Sequence, residues 1–163
     1  MQIIEGQLVS PAQAQLRIAL VAARFNELIV KELISGAHDT LLRMGVLDQN
    51  ISLLRVPGAY ELPHVAKLLA DSKRVDGIIA LGCVIRGDTA HFDFVAQAAN
   101  SGLMQINTQS AVPVTTGVLT VENLDQALAR AGSKAGNKGS EAALALLEVL
   151  HLKRAIAAWV ASS

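Results

Sequence analysis

The chain has 163 residues, a length that suits a single domain (1–163) with one moderate core. Fourteen basic and fourteen acidic residues cancel and no Lys/Arg block exceeds two in a row, so neither nucleic acid nor an acidic membrane surface is expected as a partner. Hydrophobic residues make up 52% against 17% charged, yet Gly, Asp, Lys or Arg interrupts every apolar stretch short of a membrane span, and the surplus apolar surface is read as contact between identical subunits.

Residues 1–12 read as an amino-terminal arm in which Ile3 to Val9 forms a short extra strand, free to pair with this sheet or a neighbour's edge. Leu16 to Ala23 is a buried strand. From Asn26 the period changes, with Val30, Leu33, Ile34, Ala37, Leu41 and Met44 on one helical face before Gly45. Ile51 to Val56 is a second strand, followed by Pro57-Gly58 and a helix whose face is Leu62, Val65, Ala66 and Leu69. Gly77 to Ile85 is a third, nearly continuous apolar strand, and Phe92, Val95, Ala99, Leu103 and Ile106 make the next helix. Pro113 to Leu119 is the fourth strand. Helices over Glu122 to Arg130, with Thr120 or Asn123 as cap, and Ser140 to Leu152 follow, and 157–163 is a tail with no assigned role. Strict strand-helix alternation requires right-handed crossovers. The expected fold is therefore α/β, a flavodoxin-like three-layer sandwich with a four-stranded parallel sheet and helices on both faces.

Open parallel sheets bind ligands beyond the carboxyl ends of their strands. Four turns should converge there: Arg24-Phe25-Asn26, Gly58-Ala59-Tyr60-Glu61, Cys83 to His91, and the end of strand four near Thr116-Gly117. Aromatic residues are only 3% of the chain, so Phe25 and Tyr60 falling in two of these turns marks them as ligand-facing candidates.

Gly87-Asp88-Thr89-Ala90-His91 reads either as a plain helix start or as an anion site, in which the amides of Asp88 and Thr89 point at the ligand and His91 is an acid/base within reach. Arg130 to Gly139 carries three cations, Arg130, Lys134 and Lys138, with no acid between Asp125 and Glu141. It is either a solvated helix-to-helix linker or a clamp on a small phosphoester; its spacing is not that of a phosphate-binding P-loop. Phe25 is a core aromatic or a stacking platform, and Glu61 a helix first-turn residue or a ligand. Cys83 reads as a small buried residue rather than a nucleophile. As the single cysteine it excludes an intramolecular disulfide, and with an amino terminus unlike a signal peptide it points to the cytoplasm. His38, His64 and His151 fall on separate helices at no metal-ligand spacing, so no metal is predicted.

Five motifs now stand in order: Arg24-Phe25-Asn26, Val56 to Pro63, Gly82 to Asp93, Gly117-Val118-Leu119-Thr120, and Arg130 to Gly139 with Glu141-Ala142-Ala143. Together they resemble the 6,7-dimethyl-8-ribityllumazine synthase family of riboflavin biosynthesis, over nearly the whole chain. The resemblance implies condensation of 5-amino-6-(D-ribitylamino)uracil with 3,4-dihydroxy-2-butanone 4-phosphate, releasing phosphate and water, with no cofactor. It implies that Phe25 stacks on the uracil ring, that Ala59, Tyr60 and Glu61 hold the ring and ribityl chain, and that Cys83, Val84 and Ile85 contact the same substrate. Asp88 and Thr89 would bind the phosphate through their amides, with Arg130 as counter-charge and Lys138 assisting. His91 matches the family's proton donor and acceptor.

One departure stands out. The family commonly has Pro-Val-x-Phe-Gly in strand four, its phenylalanine reaching across the subunit interface onto the neighbour's bound ring, whereas this chain has Pro113-Val114-Thr115-Thr116-Gly117. Thr116 stands at that substrate-binding position and cannot stack, so weaker binding is expected. The resemblance also implies a homopentamer with active sites between subunits, and, since Arg130 to Gly139 carries no insertion, a hollow icosahedral capsid of sixty subunits. The rival readings are a flavin electron carrier, which would need a Ser/Thr-rich phosphate loop after strand one, a phospho-receiver, which would need an acidic cluster there, and a family member retained as a weakly catalytic shell or ligand-binding protein.

Overall fold

The computed structural model describes residues 1–162. Four strands, β1 (Ile18–Ala23), β2 (Ile51–Val56), β3 (Gly77–Ile85) and β4 (Val114–Val121), form one parallel sheet in the order β2-β1-β3-β4. Helices α1 (Glu27–Arg43), α2 (Leu62–Ser72), α3 (His91–Gln109), α4 (Leu124–Arg130) and α5 (Lys138–Ala161) surround it. The flavodoxin-like sandwich expected from the alternation is the architecture observed.

The pleat of β1 shows why its sequence has no polar alternation. Ile18, Leu20 and Ala22 point into a core shared with α1 and α5, and Ala19, Val21 and Ala23 into a second core shared with α2 and α3. With both faces covered, every position of β1 is buried, and the strand reads as a continuous apolar run. β2 lies at the sheet edge, and its Ser52 and Leu53 are exposed.

The first core closes by a backbone approach between α1 and α5. An added Cβ at Gly139 would overlap the Leu33 carbonyl oxygen, and one at Gly36 the Asn137 side chain. Asn137 caps α5, its Oδ1 accepting from the Gly139 and Ser140 amides at 2.8 and 3.2 Å, while its Nδ2 donates to the Glu32 carbonyl at 2.8 Å.

Several expectations are corrected. Ile3 to Val9 forms no strand in its own sheet, Gly6 lying against Glu148 of α5, and it leads into a 3-10 helix at Pro11–Gln15; its other expected pairing, with a neighbour's edge, involves a second copy of the chain. Arg130 to Gly139 is not a plain linker: Ala131–Ser133 (β5) and Gly136–Asn137 (β6) pair as a small antiparallel ribbon, with Gly132 and Gly136 supplying the positive φ values of 115° and 73° that it needs. β4 runs on to Val121, so Thr120 is a strand residue and Asn123 alone caps α4, accepting from the Gln126 amide at 2.9 Å. α5 continues through Ala161, well past Leu152, because Lys153 to Ala161 contains neither glycine nor proline. The expected tail is therefore mostly helix, and residue 163 lies outside the described residues.

Candidate active site

Beyond the carboxyl ends of β1, β2 and β3 opens a cavity of about 650 Å³. Phe25 and Asn26 line it from the first turn, Pro57 to Glu61 from the second, and Cys83, Val84, Ile85, Gly87 and Thr89 from the third. The amino end of α3 adds His91, Phe92, Phe94 and Val95.

Hydrogen bonds hold the first turn over the other two. The Arg24 and Phe25 amides donate to the Val56 and Pro57 carbonyls at 2.8 and 3.0 Å. Asn26 precedes α1 in the left-handed region, at φ 56° and ψ 45°, a conformation that Asn tolerates better than most residues. Its side chain makes no cap; Nδ2 donates instead to the Cys83 carbonyl at 2.8 Å, joining the end of β1 to the end of β3. In the second turn Glu61 Oε2 accepts from the Gly58 amide at 2.8 Å, so this carboxylate at least serves the local turn.

The lining is unusual in its exposed rings. All three phenylalanines and the one tyrosine of the chain border the cavity, and Phe25, Tyr60 and Phe94 are 72%, 63% and 69% exposed. That much aromatic surface left in water suits a planar ligand that covers it. Cys83 is buried, and burial pushes its thiol up to about 11, so it remains protonated at neutral pH and contributes surface rather than nucleophilic chemistry. His91 is exposed at the first position of α3, its amide within 3.4 Å of the Thr89 hydroxyl oxygen.

Of the residues singled out in sequence, Phe25, Ala59, Tyr60, Glu61, Cys83, Val84, Ile85, Thr89 and His91 meet in this cavity. Asp88 is exposed on the same loop but is not part of the lining. Arg130, Lys138 and Thr116 are not part of it either. Arg130 donates from Nη1 to the Gln126 carbonyl at 3.2 Å, and Lys138 pairs with Glu141. Thr116 sits in the middle of β4 opposite Ala80, because the strand runs on beyond it; the fourth turn therefore does not converge with the other three. Asn26 lines the cavity with its turn, as expected, whereas Phe92, Phe94 and Val95 are lining residues not expected there from the sequence. Two rings at the very start of a helix that leaves the sheet's carboxyl edge were the available signal.

The model of the family described as 6,7-dimethyl-8-ribityllumazine synthase matches residues 15–154. A protein of Halorhodospira halophila (strain DSM 244 / SL1) named 6,7-dimethyl-8-ribityllumazine synthase is 54% identical over 158 residues, spanning 97% of this chain and 100% of its own length. The chain belongs to the 6,7-dimethyl-8-ribityllumazine synthase family. The lumazine synthase match contains every residue of the cavity and stops within α5, leaving the amino-terminal arm and the last turns of that helix outside it.

Proposed function

We propose that this cavity is one side of the lumazine synthase active site, completed by a second copy of the chain. As a member of the family the chain is a transferase making 6,7-dimethyl-8-ribityllumazine for riboflavin biosynthesis, from 5-amino-6-(D-ribitylamino)uracil and 3,4-dihydroxy-2-butanone 4-phosphate. The observation that carries the assignment is the pairing of exposed aromatic rings with His91 on the same cavity rim. Phe25 stacks on the uracil ring, Ala59, Tyr60 and Glu61 hold the ring and ribityl chain, and the backbone of Cys83 to Ile85 contacts the same substrate. The amides of Asp88 and Thr89 receive the phosphate.

The chemistry follows from positioning. The substrate's own amine adds to the butanone carbonyl and the carbonyl oxygen leaves as water. The phosphate leaves as its C–O bond breaks and a carbon-bound proton is lost, giving an enol that becomes a second carbonyl, on which the ribitylamino nitrogen closes the ring with loss of a second water. Each step moves a proton that the His91 imidazole carries. Holding amine and carbonyl in near-attack geometry removes much of the entropy cost of their encounter.

The cavity lining contains no Lys or Arg, so within one chain the phosphate lacks a full counter-charge. Arg130 and Lys138 supply it from an adjacent subunit, with Thr116 presented to the same neighbour. Exposed Leu124, Leu128 and Met104 give the apolar surface for such contacts. The assembly is a homopentamer, further built into a sixty-subunit capsid in the cytoplasm.

The test is lumazine formation by the purified protein against a His91→Ala control. A loss of roughly 10²- to 10⁴-fold in the variant is expected, the usual contribution of a positioned acid/base. Wild-type protein that binds the aminouracil but makes no product would instead favour the shell or binding reading raised by Thr116.

A further inference from the structure

Arg86 is the one cation flanking the proposed phosphate loop, and the obvious reading would make it a phosphate ligand. Its surroundings argue otherwise. Nε donates to Glu122 Oε2 at 2.7 Å, and Nη1 and Nη2 donate to Asp93 Oδ2 and Oδ1 at 3.2 Å each, a two-pronged bond to one carboxylate. The guanidinium carbon stands 4.2 Å from the centre of the Phe92 ring. Two carboxylates facing one guanidinium leave the cluster with a net negative charge, which repels a phosphate rather than binding it.

The same contacts span the loop. Arg86 follows the last residue of β3, and Phe92 and Asp93 belong to the first turn of α3, so the side chain ties together the two ends of Gly87 to Ala90. The Arg86 amide donates to the Val121 carbonyl at 2.9 Å, and Glu122 follows β4, so the tie is anchored to a third element. The N-cap residue of α3 is Ala90, which has no polar side chain to cap it, and the Thr89 hydroxyl oxygen accepts from the His91 amide only at 3.4 Å. The aim of the loop amides and of His91 thus depends on a contact outside the helix itself.

We propose that Arg86 is a positioning residue: with Asp93, Glu122 and Phe92 it sets the shape of loop 87–90 and the orientation of His91, without touching the phosphate. This deepens the reading of the cavity given above and rests on it. Misplacing reacting or binding groups by about 1 Å costs on the order of a hundredfold in rate. Arg86→Gln is accordingly expected to raise KM for the butanone phosphate roughly ten- to hundredfold and to lower kcat, with KM for the aminouracil unchanged.

The decisive variant is Glu122→Gln, which removes one anchor and one negative charge. If Arg86 positions the loop, the lost aim outweighs the relieved repulsion: kcat falls, and KM for the butanone phosphate and the Kd for inorganic phosphate, measured by calorimetry on the assembled protein, both rise. If Arg86 is a phosphate ligand, freeing it makes both fall, which would overturn the proposal. Arg86→Lys keeps the charge but not the two-pronged bond, and the positioning role predicts that it fails to restore the phosphoester KM; full rescue would overturn it. Equal changes in both substrates' KM would also overturn it, by leaving Arg86 only a structural role. Should Arg86→Gln fail to fold, Glu122→Gln carries the test alone. Absence of lumazine formation by the wild type would count against the cavity assignment, whereas an active wild type with an unaltered Glu122→Gln would count against this inference only.

Discussion

Asn26 offers the sharpest test of how the cavity is held together. Its side chain makes one hydrogen bond, to the Cys83 carbonyl at 2.8 Å, and its backbone occupies the left-handed region. Asn26→Ala loses both supports: the bond, at about 1 kcal/mol, and the tolerance of positive φ, at about 1 to 2 kcal/mol. The sum is about 2 to 3 kcal/mol, or a fall of roughly 4 to 12 °C in Tm for a chain of this size. Asn26→Gly removes the bond but accepts the φ freely, so it should lose about half as much. Thermal melts at fixed protomer concentration separate the two variants, since assembly makes Tm concentration-dependent. Both should also raise KM for the aminouracil, because the tie carries Phe25. If Asn26→Gly were destabilised as much as Asn26→Ala, the left-handed conformation would not be limiting; if neither changed, the bond between the strand ends would be irrelevant to the cavity.

Gly139→Ala forces its methyl group into the Leu33 carbonyl and should cost about 2 kcal/mol or more, read as a lower Tm, whereas Gly87→Ala, with open space around it and no positive φ, should leave Tm unchanged. Burial holds the Cys83 thiol protonated up to about 11 against an ordinary 9.0, so between those values the unfolded chain releases a proton that the native chain keeps. Stability should therefore fall as pH rises through that window, and denaturant titrations of Cys83→Ala should lack that component. Thr116→Phe should lower KM for the aminouracil at least roughly fivefold, stacking on a base being worth about 1 kcal/mol or more; steady-state kinetics showing no change would remove Thr116 as the cause of weaker binding. Light scattering at working concentration should show particles of shell size, and free pentamers alone would refute the capsid.

Composition and periodicity were enough for the sheet and for the edge at which the cavity opens. Hydrophobic spacing is a local property: an apolar run of six residues, such as Ile18 to Ala23, or a helical stripe such as Val30, Leu33, Ala37 and Leu41, states its burial without reference to the rest of the chain. Alternation of strand and helix then leaves few topologies, and the turns carrying Phe25, Tyr60 and His91 must meet at one edge. What needed the tertiary structure was every choice between distant partners. Ile3 to Val9 reads as a short strand, but pairing is a property of two segments, and within its own chain no sheet edge takes it, Gly6 lying against Glu148 of α5 instead. Asn26 reaches Cys83 across 57 residues and Arg86 reaches Glu122 across 36, separations that no local pattern encodes. The length of β4 decided that Thr116 stands mid-strand, and Arg130, bonded back to the Gln126 carbonyl of its own helix, stays outside the lining of its own chain's cavity. Periodicity determines which side of an element is buried; the order of strands in the sheet decides which polar side chains end within 3 Å of one another.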